Sequence, residues 1–368
     1  MRIAAIETRH YRYPLDPPFA AAWDPIPRRH QNATIVLVRS DDGLAGYASG
    51  DDVPDRELLA RLLLGADLTD TASVHGVIET VDFHHGRNWI VEVAVWDLVA
   101  RARDAPLWRV LGGERDRILA YASSGELVPV DERVRRCIAL RDAGVKAVKL
   151  RLNSTDWRVD LPVIEAVRDA VGGDLEIMVD ANQGWRMPGD LTPRWDRKTA
   201  VEFAHELERV GAYWLEEPLP TEDLDGYAAL SRNGVRIAAG EMVRSAAEAH
   251  ALVLRGGVDV VQTDVVLAGG IEGARRVAGE AGRAGSAWSP HTWSNGYGLL
   301  ANLHAALAWS DCPYLEVPFD PPNWSAERRD WLLPMTLEIA DDGTIGPPPG
   351  PGLGVVPDWD ALEPYRVG

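Results

Sequence analysis

The chain has 368 residues, enough for one large domain with an accessory one, and carries 38 Lys and Arg against 56 Asp and Glu. Its net charge of −18 argues against a nucleic acid or an anionic membrane as partner, so any local cluster of cations needs a local reason. Two cysteines, Cys137 and Cys312, make no disulfide framework or metal spacing, and the N-terminal "MRIAAIETRHYRYPL" has no apolar core of signal-peptide length. No apolar run approaches the roughly 18 residues of a membrane span, so a cytoplasmic protein is expected.

Residues 1–117 read as an α+β module. "TIVLVRSDDGLAGYAS" reads as two strands around an Asp-Gly turn, and "WIVEVAVWDLVARARDAPLWRVLGG" as one helix running into a glycine stop. From residue 118 the pattern changes to short apolar runs, each followed by a polar loop and, in several cases, a helical stretch. The predicted strands are "RILAYAS", "AVKLRL", "LEIMVD", "YWLEE", "VRIAAGE", "VDVVQTD", "SAWSP" and "PYLEV", with helices such as "DLPVIEAVRDAVGG", "TAVEFAHELERVG" and "GIEGARRVAGEAGRAG" between them. Eight strands alternating with helices across 118–324 predict an α/β fold of the (β/α)8, TIM-type barrel kind. A doubly wound sheet is disfavoured because no strand runs into a G-x-G-x-x-G turn. The remaining segment, 325–368, ends in "GPPPGPGLGVVPDWD", which composition alone would make a disordered linker.

In such a barrel the chemistry sits at the C-terminal ends of the strands. Read in order, those ends carry Ser123 and Ser124, Lys149 and Arg151, Asp180, Glu216, Glu241, Asp264, His291 and Glu316. One carboxylate at a strand end is ordinarily a solvated loop acid. Three in consecutive units, Asp180, Glu216 and Glu241, repel one another unless protonated or joined by a cation, and hard oxygen ligands of this kind suit Mg²⁺. The next two units bring Asp264 and His291, a carboxylate that can fix an imidazole's tautomer and make it a general base. Glu316 is open between a hydrogen-bond donor held neutral and a plain solvated strand end. In "AVKLRL", alternation puts Ala147, Lys149 and Arg151 on one face, so an apparently buried face ends in two cations.

The pieces "VDANQGW", "WLEEP", "AAGE", "QTDVVLAGGI" and "SPHTWSNGYGLLANLHAAL", with the helix "AVWDLVARARDAPLWRVLGG" and the tail "PGLGVV", resemble the enolase superfamily, specifically its mandelate racemase-like subgroup. The resemblance covers nearly the whole chain. It implies an N-terminal capping domain (1–117) completed by the C-terminal segment (325–368), with a specificity loop near 16–32 around "FAAAWDPIPRRHQNA". It makes Asp180, Glu216 and Glu241 the Mg²⁺ ligands, Asp264 and His291 a His-Asp dyad, and Glu316 the hydrogen-bond donor to a substrate carboxylate oxygen. It also makes Asn182 a substrate contact, and it places Arg28, Arg29 and His30 where distal substrate groups could bind. His84, His85 and His304 are expected to be surface or packing histidines. The implied chemistry removes the proton α to a carboxylate, with the metal stabilising the enediolate, a pattern general to this superfamily.

One departure narrows that chemistry. The subgroup's usual Lys-x-Lys motif is Lys149-Leu150-Arg151 here. Deprotonating a guanidinium at neutral pH costs about 7 kcal/mol, whereas a neutral imidazole costs less than about 1 kcal/mol. His291 is therefore the expected base, with Lys149 second as a carboxylate binder that could act as a base if its pKa were depressed. A one-base site suits dehydration of an acid sugar (an aldonate or aldarate) to a 2-keto-3-deoxy acid. The alternatives are a racemase or epimerase of a hydroxy acid, and a non-catalytic metal-dependent binder. The expected partner is a small carboxylate, and the family implies a homo-oligomer, either dimer or octamer.

Overall fold

The computed structural model describes residues 1–152, 154–231, 234–309 and 312–367. An N-terminal antiparallel sheet consists of β1 (Ile3–Phe19), β2 (Arg28–Ser40) and β3 (Ala45–Gly50), in that order. β2 and β3 are joined through a turn in which Gly43 takes φ +91°, a conformation glycine adopts freely. The helix Trp89–Ala102 lies on this sheet so closely that a Cβ at Gly46 would come within 2.2 Å of the Ala94 carbonyl oxygen. It is not continuous with the following turn as the sequence suggested. Asp104 sits at φ +48° and Pro106, which cannot donate to a helix ladder, separates it from a short second helix, Leu107–Val110.

The barrel strands are β4 (Ile118–Ser123), β5 (Ala147–Arg151), β6 (Glu176–Asp180), β7 (Trp214–Glu216), β8 (Arg236–Ala239), β9 (Val260–Val261), β10 (Ala287–Trp288) and β11 (Leu315–Pro318). They are parallel neighbours in the order β11-β4-β5-β6-β7-β8-β9-β10. Among the described residues no ladder joins β10 to β11; side chains cross that seam instead. Ser289 Oγ donates to the Tyr314 carbonyl (2.6 Å) and Thr292 Oγ1 to the Glu316 carbonyl (2.7 Å). This is the expected (β/α)8 architecture with a capping sheet, each predicted strand falling on an observed one.

Alternation decides what fills the barrel. Tyr121, Ala147, Met178, Trp214, Ala238 and Val260 form an apolar plug inside it, while Val148, Leu150 and Leu152 turn outward into the main core beneath the helices. Lys149 and Arg151 continue the inward face above Ala147. The two cations of β5 therefore point into the barrel's open end, where they meet the carboxylates.

The Pro/Gly-rich C-terminal segment is ordered by backbone pairing, not by composition. A two-residue strand, β12 (Thr344–Ile345), pairs antiparallel with the start of β4. Gly352 exchanges hydrogen bonds with the Ala105–Leu107 turn (2.8 and 3.0 Å), and Val367 N donates to the His10 carbonyl (2.9 Å). The buried Asp97 of the cap helix joins these parts, accepting from Tyr47 N, Leu353 N and Arg101 Nε. No helix of the described residues is long and apolar enough to cross a membrane.

Candidate active site

The three carboxylates at the ends of β6 and β7 and just beyond β8 converge. Asp180, Glu216 and Glu241 are buried and offer oxygens that all lie within 4.8 Å of one another. Glu241 Oε2 is buried without a hydrogen-bond partner among the described residues, while Trp185 Nε1 donates to its Oε1 at 2.6 Å. A buried, unpartnered carboxylate oxygen is costly. Together with the all-oxygen donor set, it fits a hard divalent ion.

The cations of β5 bind this cluster from one side. Lys149 is fully buried, with Nζ 2.6 Å from Glu216 Oε1, 2.7 Å from Glu316 Oε1 and 3.7 Å from Asp180 Oδ2. Burial alone would lower its pKa, but Glu216 and Glu316 outweigh that and hold it above its ordinary value. A divalent ion on Glu216 would oppose that upward pull. Arg151 Nη1 donates to Asp180 Oδ2 (2.5 Å) and Asn182 Oδ1 (3.0 Å), and its Nε to the Ser124 carbonyl (3.1 Å). Its guanidinium lies 4.4 Å from the Trp23 ring centroid and 5.3 Å from that of Trp293. Burial disfavours its charge, but Asp180 and Glu241 more than compensate, so it too is held protonated.

Across the rim, His291 Nδ1 is 3.2 Å from Asp264 Oδ2, and Nε2 is 3.7 Å from Glu241 Oε2. Asp264 is itself fixed by Asn302 Nδ2 (2.8 Å) and by Val266 N (3.0 Å). Burial lowers the imidazole's pKa, but Glu241, Glu316 and Asp264 raise it further, to about 9. A divalent ion on the carboxylates would oppose that rise. Glu316 is not a solvated strand end. It is buried and accepts from Thr292 N (2.9 Å); burial would raise its pKa, yet Lys149, His291 and Arg151 pull it down to about 2, which favours its ionised form.

A cavity of about 730 Å³ opens over this rim. Arg151, Glu241 and His291 reach it from the barrel, and Arg28 and His30 from the cap. Arg28 also pairs with Asp24 at 2.9 Å. These cap residues belong to the start of β2, so strand alternation turns Arg29 to the opposite face; it is exposed and does not line the cavity. The connection between β1 and β2 is thus only 20–27, shorter than the loop expected near 16–32. Asn182, at φ +50°, is absent from the wall: its amide donates to the Leu152 carbonyl (2.6 Å) and its oxygen accepts from Arg151. His84 and His85 are exposed at a helix end, and His304 is buried against Trp108.

Sequence reasoning missed four residues here. Trp23 and Trp293 flank Arg151 from two distant loops. Asn302, which orients Asp264, is a lone amide in the apolar helix Gly296–Ala308, a visible signal. Glu217, the second acid of "LEEP", is buried with both oxygens unpartnered among the described residues, and burial chiefly holds its pKa well above the carboxylate range.

Fold and site together define a capped (β/α)8 barrel with a buried carboxylate metal site at its strand ends. Residues 132–361 match the family described as enolase C-terminal domain-like, and the chain belongs to the enolase superfamily. It is 29% identical to L-talarate/galactarate dehydratase of Salmonella typhimurium, over 83% of this chain and 76% of that one. It is 27% identical to D-galactarolactone cycloisomerase of Agrobacterium fabrum, over 100% and 99%. The solved L-talarate dehydratase of Polaromonas sp. JS666, complexed with Mg and L-glucarate, superposes with a TM-score of 0.85 at 26% identity, covering 100% of this chain and 98% of that one.

Proposed function

We propose that the protein is a Mg²⁺-dependent dehydratase of an acid sugar, converting an aldonate or aldarate to a 2-keto-3-deoxy acid. The observation that carries this reading is the pairing of one imidazole, His291 held by Asp264, with Arg151 where a second base would stand. Asp180, Glu216 and Glu241 are the proposed metal ligands, and Mg²⁺ bound there would supply Lewis acidity toward the substrate carboxylate. Relatives that dehydrate acid sugars, one of them solved with Mg and L-glucarate, support the assignment.

Within this reading each group has one task. Lys149 and Arg151, fixed as cations, draw the substrate carboxylate to the rim. Neutral His291 Nε2 takes the α-proton, and Asp264 stabilises the imidazolium that results. The same imidazolium returns the proton to the departing β-hydroxyl. The C–O bond breaks, water leaves, and the remaining enol tautomerises to the keto acid. Arg151 stays protonated throughout, so no second base returns a proton to the other face. Arg28 and His30 are proposed contacts for distal hydroxyls. The division into a cap (1–117 with 325–368) and a catalytic barrel (118–324) belongs to the same proposal.

The test is incubation of the purified protein with Mg²⁺ and a library of aldonic and aldaric acids, scored for 2-keto acid formation. Turnover of at least one member is expected, and silence across a broad library would overturn the reading. The full-length match to a cycloisomerase favours one further reading, in which the same proton abstraction expels a ring oxygen and not a hydroxyl. Lactones added to the library separate the two, since ring opening releases no water.

A further inference from the structure

A second cavity, of about 720 Å³, lies where the cap helix Thr71–His85 meets the barrel helix Gly270–Ala284, and it shares no lining residue with the active-site cavity. Its wall is cationic in a protein whose net charge is −18. Arg275, Arg276 and Arg283 line it, against the single carboxylate of Glu272. Residues 276, 279 and 283 fall on one side of the helix. Gly279 stands between the two arginine turns, and a Cβ there would meet only Arg283 Nη1, at 3.6 Å. Nothing structural requires glycine at this position, yet glycine costs about 1 kcal/mol relative to alanine inside a helix. Its bareness keeps the space between the guanidinium groups open.

One of the three cations is held in place from behind. His75, almost fully buried, contacts Glu92 Oε2 through Nδ1 at 2.8 Å and stacks on Trp89 at 5.4 Å. With Nδ1 donating to Glu92, Nε2 accepts from Arg276 Nη2, which fixes that guanidinium at the cavity wall. Glu79 Oε1 also lies 3.9 Å from His75 Nε2. Arg275 and Arg283 form no hydrogen bond or ion pair among the described residues. Trp309, set edge-on against Trp288 at 5.1 Å, adds an aromatic wall to the same space.

We infer that this cavity is a second binding site, for a compact polyanion. Guanidinium groups in a row recognise clustered anionic oxygens, as in a phosphoryl group or a di- or tricarboxylate, through charge-assisted paired hydrogen bonds. The volume exceeds that of a bare anion and leaves room for an organic remainder against the indole.

The test is isothermal titration calorimetry of the intact protein, stripped of divalent ions and dialysed free of chelator, at fixed ionic strength, with pyrophosphate in one arm and citrate in the other. Saturable binding is expected in at least one arm, and the arm that binds more tightly identifies phosphoryl or carboxylate chemistry. The double variant R275A/R283A should bind about tenfold more weakly or worse, given the worth of two charge-assisted contacts. Gly279→Leu, which fills the space without removing charge, should weaken binding as well. Both variants should keep the basal activity. No binding in either arm, or equal affinity in the double variant, overturns the inference. So does a drop in the sedimentation mass of R275A/R283A, which would show that these arginines hold a second copy of the chain.

Discussion

His291 Nδ1 lies 3.2 Å from Asp264 Oδ2, and Asn302 Nδ2 holds the other oxygen of that carboxylate at 2.8 Å. The imidazole is thereby oriented with Nε2 towards the metal carboxylates. If His291 is the base, His291→Asn should lower kcat by about 10²–10⁴-fold and abolish solvent deuterium exchange at the α-carbon. Lys149→Met should retain slow exchange while raising KM. Exchange that survives the histidine change but not the lysine change would reassign the base.

Asn302 reaches the dyad through its hydrogen bond to Asp264. Asn302→Leu removes one of the two hydrogen bonds to Asp264 Oδ1, the other coming from Val266 N, and leaves the buried Val265 N–H without its acceptor, at a cost of about 1–3 kcal/mol. The expected result is a fall in kcat with KM nearly unchanged, together with a shifted pH profile. An effect on KM alone would mean that Asn302 supports the helix and not the dyad.

Much of this site was legible because barrel topology turns strand order into rim position. Asp180, Glu216 and Glu241 end consecutive units, so spacing alone brought them together. The puzzle of cations on a buried face resolved the same way, since Lys149 and Arg151 face inward above an apolar plug. What stayed hidden depends on contacts distant in sequence. Trp23 comes from the cap and Trp293 from the loop after β10, and no local pattern pairs either with Arg151. Arg29 was grouped with Arg28 and His30 because the strand's start, and hence its alternation, was placed too late. Glu316 could not be read as ionised without knowing that Lys149 and His291 converge on it.

Arg151 should be what makes the site one-sided. Arg151→Lys restores a group that can lose its proton, at the expense of the contacts with Trp23 and Trp293. The variant should show α-deuterium incorporation with inversion, which the parent should not, measurable by proton NMR in D2O. Unchanged stereochemistry in a variant that still dehydrates would remove Arg151 as the determinant.

Three buried carboxylates and a divalent ion should be linked thermodynamically. Mg²⁺ at about 100 times its dissociation constant should stabilise the fold by about 2.7 kcal/mol, provided the unfolded chain does not bind it. Chelation should lower Tm and abolish turnover together, and both should return with Mg²⁺. In Glu241→Gln the Mg²⁺-dependent part of Tm should shrink. Equal Mg²⁺ stabilisation in that variant would place the ion elsewhere.

His304 provides a pH test that leaves the catalytic groups alone. The ring is buried, and Nδ1 accepts from Trp108 N at 3.1 Å. Burial pushes its pKa from 6.5 down to about 4, against a weaker upward pull from the Leu353 backbone. The folded ring therefore stays neutral while the unfolded ring takes up a proton as pH falls below 6.5. In that window the unfolded state binds more protons, so stability falls as pH falls. The contribution is complete above pH 6.5 and is lost progressively down to about pH 4, a difference of roughly 3 kcal/mol. Carboxylates titrate over part of the same range, but they do so equally in His304→Gln. Urea unfolding of both proteins at pH 7 and pH 4.5 should show a steeper loss for the parent. Parallel losses would mean that the folded imidazole accepts its proton without cost.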